Sequence, residues 1–198
     1  MLLGPETIPL NDGRIIYFPQ FLTFEEEHNY FNSLMAETKW RHDEITLFGK
    51  RVKIPRLQAW YGDKGLDYTY SGLTMEPESW TNVLLQLKQR VEEAAAQSFN
   101  TVLLNLYRDG QDKVGWHSDD EPELGKHPQI ASLSLGETRK FAMKHKATGE
   151  KFDLVLPGGS LLIMAGETQQ FWQHTIPAQK RVIAPRINLT FRTVKPFN

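Results

Sequence analysis

The sequence predicts a mainly β protein with flanking helices, whose core is an antiparallel sandwich or jelly roll. From residue 101 onward, apolar and polar residues alternate in short runs separated by Gly, Pro, Asp and Lys turns. Eight such runs lie between residues 101 and 192. Two segments with helical periodicity precede them, and we expect these helices to pack outside the sheets.

The first hundred residues predict one strand, two helices and an irregular stretch. RIIYF (14–18) is typical of a short strand, and Thr23 with Glu26 forms a capping box that begins a helix. The apolar face of that helix consists of Phe24, Phe31, Leu34 and Met35. A second helix, about residues 80–98, has apolar residues three and four positions apart: Trp80, Leu84, Leu87, Val91 and Ala95.

Residues 45–72 fit neither pattern well, because they hold two short β-like runs and a loop rich in Gly and Tyr. The eight later runs are clearer strand candidates. In chain order they are TVLLNLY, VGWHSD, IASLSL, RKFAMKH, FDLVL, SLLIMA, FWQHTI and RINLTFR.

Composition excludes several function classes. The 198 residues carry a formal net charge of −1, so no global field attracts nucleic acid or an anionic membrane. The absence of cysteine excludes disulfides, thiolate metal sites and Cys nucleophiles, so a metal would need His and carboxylate ligands. We find neither a signal-like start nor a membrane span. These features predict an intracellular protein that is cytoplasmic, or nuclear in a eukaryote. The sequence shows no repeats, low-complexity tract or linker, which predicts one domain.

A histidine and three acids lie within GWHSDDE (115–121), and this motif predicts a metal site. Residues two apart in a strand point to the same face, so His117 and Asp119 project together. His174 in FWQHTI would complete a two-His-one-carboxylate triad suited to Fe(II) chemistry. On its own, a His-x-Asp step is more often a hydrogen-bonded loop pair than a metal site.

RINLTFR (186–192) alternates without a break, with one polar and one apolar face. Its polar face carries Arg186, Asn188, Thr190 and Arg192. Two arginines at this spacing suit a buried dicarboxylate, which Arg186 could bind in a bidentate fork. TVLLNLY similarly places Asn105 and Tyr107 on one face. The alternative for RINLTFR is a half-exposed strand whose polar side faces water.

Four stretches resemble the AlkB family of Fe(II)/2-oxoglutarate-dependent dioxygenases, which repair alkylated nucleic-acid bases. They are NLYRDGQDKVGWHSDDEPELG, ASLSLGETRKFAMKHK, GGSLLIMAGETQQFWQHTIP and PRINLTFRTV. The resemblance extends from about residue 45 to the C-terminus. It implies a double-stranded β-helix (jelly roll) core at about 101–198, preceded by helices and a nucleotide-recognition lid at about 1–100, all in one domain.

The resemblance also implies residue roles and cofactors. His117, Asp119 and His174 match the iron ligands. The positions that hold 2-oxoglutarate, the cosubstrate used with O2, are matched by Asn105, Tyr107, Arg186, Asn188, Thr190 and Arg192.

A substrate-binding region is similarly implied by PRLQAWYGDKGLDYTYSG (55–72), with Tyr68 and Tyr70 as base-contacting residues. The other substrate candidates there and nearby are Arg56, Gln58, Ser71, Asp120 and Glu121. The tip Leu47-Phe48-Gly49 resembles the hairpin finger of duplex-acting members. DKVGWHSDDE, AWYG and YTYS are closer to members that prefer single strands, so the strand preference stays open. A Tyr-rich loop packed on the core, a solvated basic hairpin, and a surface salt bridge from the acids to Arg192 are the structural alternatives.

The implied reaction is oxidative demethylation of 1-methyladenine- and 3-methylcytosine-type bases in DNA, possibly RNA, by a monomer that needs no membrane. One alternative is an Fe(II)/2-oxoglutarate hydroxylase acting on a protein or a small molecule. Another is a non-catalytic nucleic-acid reader on the same scaffold.

Overall fold

The structure, a computed structural model, describes residues 4–47, 49–66, 68–70, 73–75 and 77–195, with strand backbone only at 46–47, 68–70 and 73–75. Within these ranges the chain forms sixteen strands and three α-helices. The strands are β1 (Glu6–Leu10), β2 (Gly13–Phe18), β3 (Glu44–Leu47), β4 (Lys50–Lys53), β5 (Leu57–Gly62), β6 (Tyr68–Tyr70), β7 (Leu73–Met75), β8 (Glu78–Ser79), β9 (Thr101–Tyr107), β10 (Val114–His117), β11 (Ile130–Gly136), β12 (Arg139–His145), β13 (Lys151–Leu156), β14 (Leu161–Ala165), β15 (Trp172–Ile176) and β16 (Arg186–Arg192). The helices are α1 (Phe24–Glu37), α2 (Asn82–Ala95) and α3 (Thr168–Phe171).

Two sheets form the core of the fold. The larger has eight strands in the order β1-β2-β14-β11-β16-β9-β5-β8, and the smaller has the order β10-β15-β12-β13. All neighbouring strands in both sheets run antiparallel except β5 and β8. Two hairpins, β3–β4 and β6–β7, stand apart from these sheets. The predicted jelly-roll core with flanking helices is confirmed.

Alternation along the strands gives the larger sheet two different faces. On β16, Ile187, Leu189 and Phe191 pack into an apolar core that includes Leu84 and Leu87 of α2. The intervening side chains of β16 point to the opposite face, toward the smaller sheet. A second apolar core lies there, formed in part by residues of β12 and β15. The helices therefore cover one face and leave the other free for a site.

The predicted first helix is confirmed, together with its capping box. Thr23 Oγ1 accepts from the Glu26 backbone N–H at 3.2 Å, and Glu26 Oε2 accepts from the Thr23 N–H at 2.9 Å. Leu34 is buried as expected. The assignment of Phe24 to the apolar face is wrong, because its side chain is 83% exposed. Phe24 is the first residue of the helix, and its side chain lies outside the packed apolar face.

The second predicted helix is confirmed but shorter than expected, since it begins after Thr81. Trp80 lies outside it and donates from Nε1 to Asp63 Oδ1 at 2.8 Å. Leu84, Leu87, Val91 and Ala95 are buried. All eight runs after residue 101 form strands, β9–β16. Among the described residues, no helix combines the length and apolarity that crossing a membrane requires.

Candidate active site

The two sheets bring His117, Asp119 and His174 together. His117 ends β10 and lies directly opposite His174 of β15, while Asp119 follows two positions later. One potential ligand atom from each side chain lies within 4.8 Å of the others. His174 Nε2 is 3.7 Å from Asp119 Oδ2, and the two imidazole ring centres are 4.3 Å apart. This clustering favours a shared ion over a loop pair.

The pKa shifts of His174 and Asp119, and the hydrogen bond of His117, suit metal binding. Burial, together with the nearby His117, lowers the pKa of His174 to about 3, so its imidazole is neutral. Burial would raise the pKa of Asp119, but Arg192 and the two histidines more than offset this, so its pKa is lowered and it stays ionised. His117 Nδ1 lies 2.9 Å from the Gly115 carbonyl, which favours the tautomer that leaves Nε2 free as a ligand.

Asp119 is held from two sides. Its carboxylate forms an ion pair with Arg192 and its backbone N–H donates to Gln169 Oε1 at 2.8 Å. The preceding Ser118 points away and donates to the Trp172 carbonyl at 2.9 Å. A carboxylate fixed in this way keeps its orientation without an ion present.

A cavity of about 500 Å³ opens beside the triad, between the two sheets. Its described walls come mainly from β9, β10, β11, β15 and β16. Predicted iron and 2-oxoglutarate residues are among those that line it, including Asn105, Tyr107, Asp119, His174, Arg186 and Asn188.

Arg186 provides a direct test of whether this cavity fits a dicarboxylate. The side chain is 1% exposed, and one terminal nitrogen donates to Ser134 Oγ at 2.9 Å. Its Nε and its other terminal nitrogen, Nη1, have no hydrogen-bond partner among the described residues. Burial lowers the pKa of Arg186 to about 10, which still leaves it charged at neutral pH. A buried cation with unsatisfied donors is costly. A carboxylate would satisfy these donors, so the residues fit 2-oxoglutarate.

Asn105 is oriented by two residues that the sequence assigned to substrate. Its Oδ1 accepts from Arg56 Nε at 2.7 Å and from Gln58 Nε2 at 2.9 Å. Both donors are buried. Because the Asn105 oxygen is occupied, its amide NH2 is the group left to donate into the cavity.

Two serines on β11 that were not among the predicted site residues support this wall, and one of them, Ser132, lines the cavity. Ser132 Oγ accepts from Asn188 Nδ2 at 2.8 Å, and Ser134 supports Arg186. Thr190 in turn donates to Asn188 Oδ1 at 3.0 Å. The alternation in IASLSLG, which places both serines on one face, is the signal that could have identified them.

Tyr107 lies between two guanidinium groups. The Arg186 guanidinium carbon is 5.2 Å from its ring centre and that of Arg139 is 5.4 Å away. Arg139, which the sequence analysis also missed, is fully buried. Cation–π contacts on this ring help to fix Tyr107.

The two acidic residues predicted to bind substrate, Asp120 and Glu121, differ in their position relative to the cavity. Glu121 lines the cavity. Asp120 does not appear among the lining residues and pairs instead with Lys146 at 3.1 Å. The alternative for these acids, a salt bridge to Arg192, is absent from the described ion pairs, and Arg192 pairs with Asp119.

The structure describes only part of the hairpin tip and of the tyrosine pair. Gly49 lies between β3 and β4 with a φ of 77°. Phe48 and Ser71 lie outside the described residues, as do the side chains of Leu47, Tyr68 and Tyr70.

The fold and the site define a class, the Fe(II) oxygenases that build their centre inside a jelly roll and take a dicarboxylate cosubstrate. Sequence comparison agrees, since the 2OG-Fe(II) oxygenase superfamily matches residues 14–192. The chain belongs to that superfamily and, within it, to the AlkB family. It is an Fe(II)/2-oxoglutarate-dependent dioxygenase.

The relatives are similar over most of their length. Alpha-ketoglutarate-dependent dioxygenase alkB homolog 3 of Bos taurus is 44% identical over 203 residues, which cover 95% of this chain and 68% of the relative. DNA oxidative demethylase ALKBH2 of Mus musculus is 45% identical over 184 residues, which cover 89% and 74%. The solved structure of OsALKBH1 matches with a TM-score of 0.67 at 19% identity, covering 94% of this chain and 100% of that one, and supports the fold alone.

Proposed function

We propose that this dioxygenase removes N-linked methyl groups from nucleic-acid bases, primarily in DNA, and so repairs alkylation damage. The bases expected are of the 1-methyladenine and 3-methylcytosine type, and the products are formaldehyde, succinate and CO2. The observation that carries the proposal is the metal-ligand triad beside the unsatisfied donors of Arg186. The base substrate is supported by relatives whose names are those of a DNA demethylase.

The chain's own residues have separate tasks in this reaction. Fe(II), when bound with 2-oxoglutarate and O2, supplies the oxidising power that hydroxylates the methyl carbon, and the hydroxymethyl base then releases formaldehyde. His117, Asp119 and His174 would hold the ion. Arg186 would anchor the far carboxylate of the cosubstrate. The protein thus positions the reactants and excludes water between the two sheets.

Glu121 supports a cationic base as substrate. Its Oε2 is buried at the cavity wall and has no hydrogen-bond partner among the described residues. Methylation at N1 of adenine or N3 of cytosine places a positive charge on the base. A buried, unpartnered carboxylate oxygen would accept from such a base or stabilise its charge. Asp120 is less suited to this task because it binds Lys146 outside the wall.

The experiment that tests the proposal measures formaldehyde and succinate release on methylated single-stranded DNA, duplex DNA and RNA. His174→Ala should abolish turnover and lower the iron content, because the triad loses a ligand. His28→Ala is the matched control, since His28 is exposed on α1. Succinate release that depends on a protein or small molecule would favour the hydroxylase alternative. Binding without any turnover would favour the reader.

The lid and hairpin are proposed to contact the nucleic acid. Lys50, Arg51 and Lys53 are exposed on β4, where they could meet phosphates. Arg56, the fourth basic residue of that run, is buried and is not part of this surface. We propose base contacts for Tyr68, Tyr70 and Ser71 from the family resemblance.

Phe48 decides between the duplex and single-strand alternatives. A wedge at Leu47-Phe48-Gly49 would offset the cost of unstacking a duplex. Phe48→Ala should then lower activity on duplex lesions about tenfold or more, with little change on a single strand. Equal losses on both would assign Phe48 to the base pocket instead.

We also propose that the enzyme works as a single-domain monomer in the cell interior, cytoplasmic or, in a eukaryote, nuclear. DNA as substrate supports the cellular location. Size-exclusion chromatography with light scattering would test the monomer.

A further inference from the structure

Trp116 is a large aromatic side chain that the catalytic roles above do not use. It immediately precedes the iron ligand His117 on β10 and lines the same cavity. Its side chain is 49% exposed, and it belongs to neither apolar core cluster. Single exposed apolar residues are ordinary on protein surfaces. One at the rim of a catalytic cavity needs its own explanation.

A bulge in β10 accounts for the position of Trp116. Val114 pairs with Ile176 and His117 with His174, so three steps along β10 match two steps along β15. One extra residue is therefore inserted between these pairs, and bulges of this kind re-aim side chains near active sites. The bulge keeps His117 opposite His174 while Trp116 is turned to the rim.

A cation lies close by along the chain. Lys113 is exposed, lines the same cavity, and has no carboxylate within ion-pair distance among the described residues. Its backbone is held firmly, because its N–H donates to the Pro55 carbonyl at 2.9 Å. An aromatic face and an unpaired cation on the wall of one cavity are the combination with which proteins bind single-stranded nucleic acid. Bases stack on the ring, and the cation binds the phosphate.

The difference in burial between the triad and Trp116 indicates that they contact different nucleotides. Asp119 and His174 are almost fully buried, so the methylated base must enter the interior of the cavity to bring its methyl group to the centre. Trp116 lies at the half-exposed rim of the cavity, where a nucleic-acid strand would continue beyond the bound base. We propose that Trp116 stacks against the nucleotide adjacent to the lesion on the same strand, with Lys113 binding a backbone phosphate. This inference rests on the proposed function and assigns a specificity determinant to it.

A pair of substrates tests the stacking role. Trp116→Ala should lower kcat/KM on a methylated single-stranded oligonucleotide at least tenfold more than on the corresponding methylated mononucleotide, which has no neighbouring base. Trp116→Phe, which keeps an aromatic face, should recover most of the difference. Phe24→Ala is the control, because Phe24 is more exposed than Trp116 but lies on α1 outside the cavity.

Fluorescence provides a readout that needs no turnover. Titration with an unmodified single-stranded oligonucleotide should quench the emission of the wild-type protein, and Trp116→Phe should lose that quenching although four of the five tryptophans remain. Lys113→Gln should reduce by about one the slope of log affinity against log salt.

The outcomes distinguish this inference from the proposed function. Equal losses on the oligonucleotide and the mononucleotide, or no loss on either, would overturn the stacking role of Trp116. Quenching that persists in Trp116→Phe would overturn it as well. Absence of wild-type turnover on every methylated substrate would instead overturn the proposed function, and the quenching would still report on Trp116.

Discussion

At the level of single residues, the most informative feature is a buried cation with unfilled hydrogen-bonding capacity. Arg186 has donors on Nε and on both terminal nitrogens, and only one of these nitrogens has a described partner. Unsatisfied buried donors each cost free energy in the folded protein. The unsatisfied donors of Arg186 therefore favour anion binding, and a bound dicarboxylate would remove the cost of leaving them unpaired.

Arg186→Lys should show that the fork geometry matters as well as the charge. Lysine keeps a positive charge but cannot make a bidentate contact with a carboxylate. We expect the KM for 2-oxoglutarate to rise about 30-fold or more, which corresponds to a loss of about 2 kcal/mol.

Steady-state turnover at varied 2-oxoglutarate measures this rise. Lys140→Met is the control, because Lys140 is exposed on β12 and pairs with Asp153. An unchanged KM in Arg186→Lys would move the cosubstrate anchor to another residue.

At the level of elements, Arg139 of β12 connects the smaller sheet to two loops, one after β9 and one before β16. From β12 it donates to the carbonyls of Asp109, Asp112 and Pro177 and to Gln179 Oε1. The two loops approach so closely that a Cβ at Gly110 would lie 1.9 Å from the Gln179 carbonyl oxygen. One loop follows Tyr107 and the other precedes Arg186, so this junction ties together the two segments next to the predicted cosubstrate residues.

Arg139→Lys should therefore destabilise the fold. A lysine ammonium cannot reach four separated acceptors, which leaves buried carbonyls unsatisfied. We expect the free energy of unfolding to fall by about 2–4 kcal/mol, measured by urea denaturation. Lys140→Met, one position away but exposed, should change it by less than about 1 kcal/mol. Equal effects of the two substitutions would contradict the structural role of Arg139.

The N-terminus of α1 affords a test that is independent of the active site. Thr23→Ala removes a capping box, and we expect a loss of about 1 kcal/mol in the free energy of unfolding. Because α1 packs on the face of the larger sheet away from the cavity, the KM for 2-oxoglutarate should not change. A change in KM without a change in stability would show that α1 communicates with the cavity.

At the level of the whole molecule, the metal site makes stability depend on pH. The unfolded chain protonates a histidine below about pH 6.5, whereas the folded chain holds His174 neutral down to about pH 3. Between these values the unfolded state binds more protons, so stability falls as pH falls. The folded state therefore loses no stability to the titration of His174 above about pH 6.5.

Metal-free protein should therefore unfold more easily in mild acid. We expect the free energy of unfolding to be about 2 kcal/mol lower at pH 5 than at pH 7.5 on account of His174 alone. His174→Gln, which cannot titrate, should lose this part of the slope, and His28→Gln should retain it. Urea denaturation at both pH values measures the difference. Identical slopes in all three proteins would rule out a neutral buried His174.

The sequence by itself determined the two long helices, the eight strands after residue 101 and the clustering of polar groups on one face of the sheet. Alternation in RINLTFR assigned residues to two faces correctly because a strand has a strict period of two. The same period placed His117 and Asp119 on one side, and the family's motifs added His174, which the structure brings next to them. These features depend on local periodicity, which a single sequence displays.

Only the tertiary structure decided which polar groups meet. Arg56 and Gln58, which the sequence predicts as substrate residues, both donate to Asn105 across the β5–β9 pairing, a contact that no local pattern indicates. Arg192 binds Asp119 rather than Asp120 or Glu121, and Arg139 reaches two loops about 30 and 40 positions distant. These partners are set by strand order, register and a bulge. Such long-range geometry arises from the packing of the whole chain, and no local pattern specifies it.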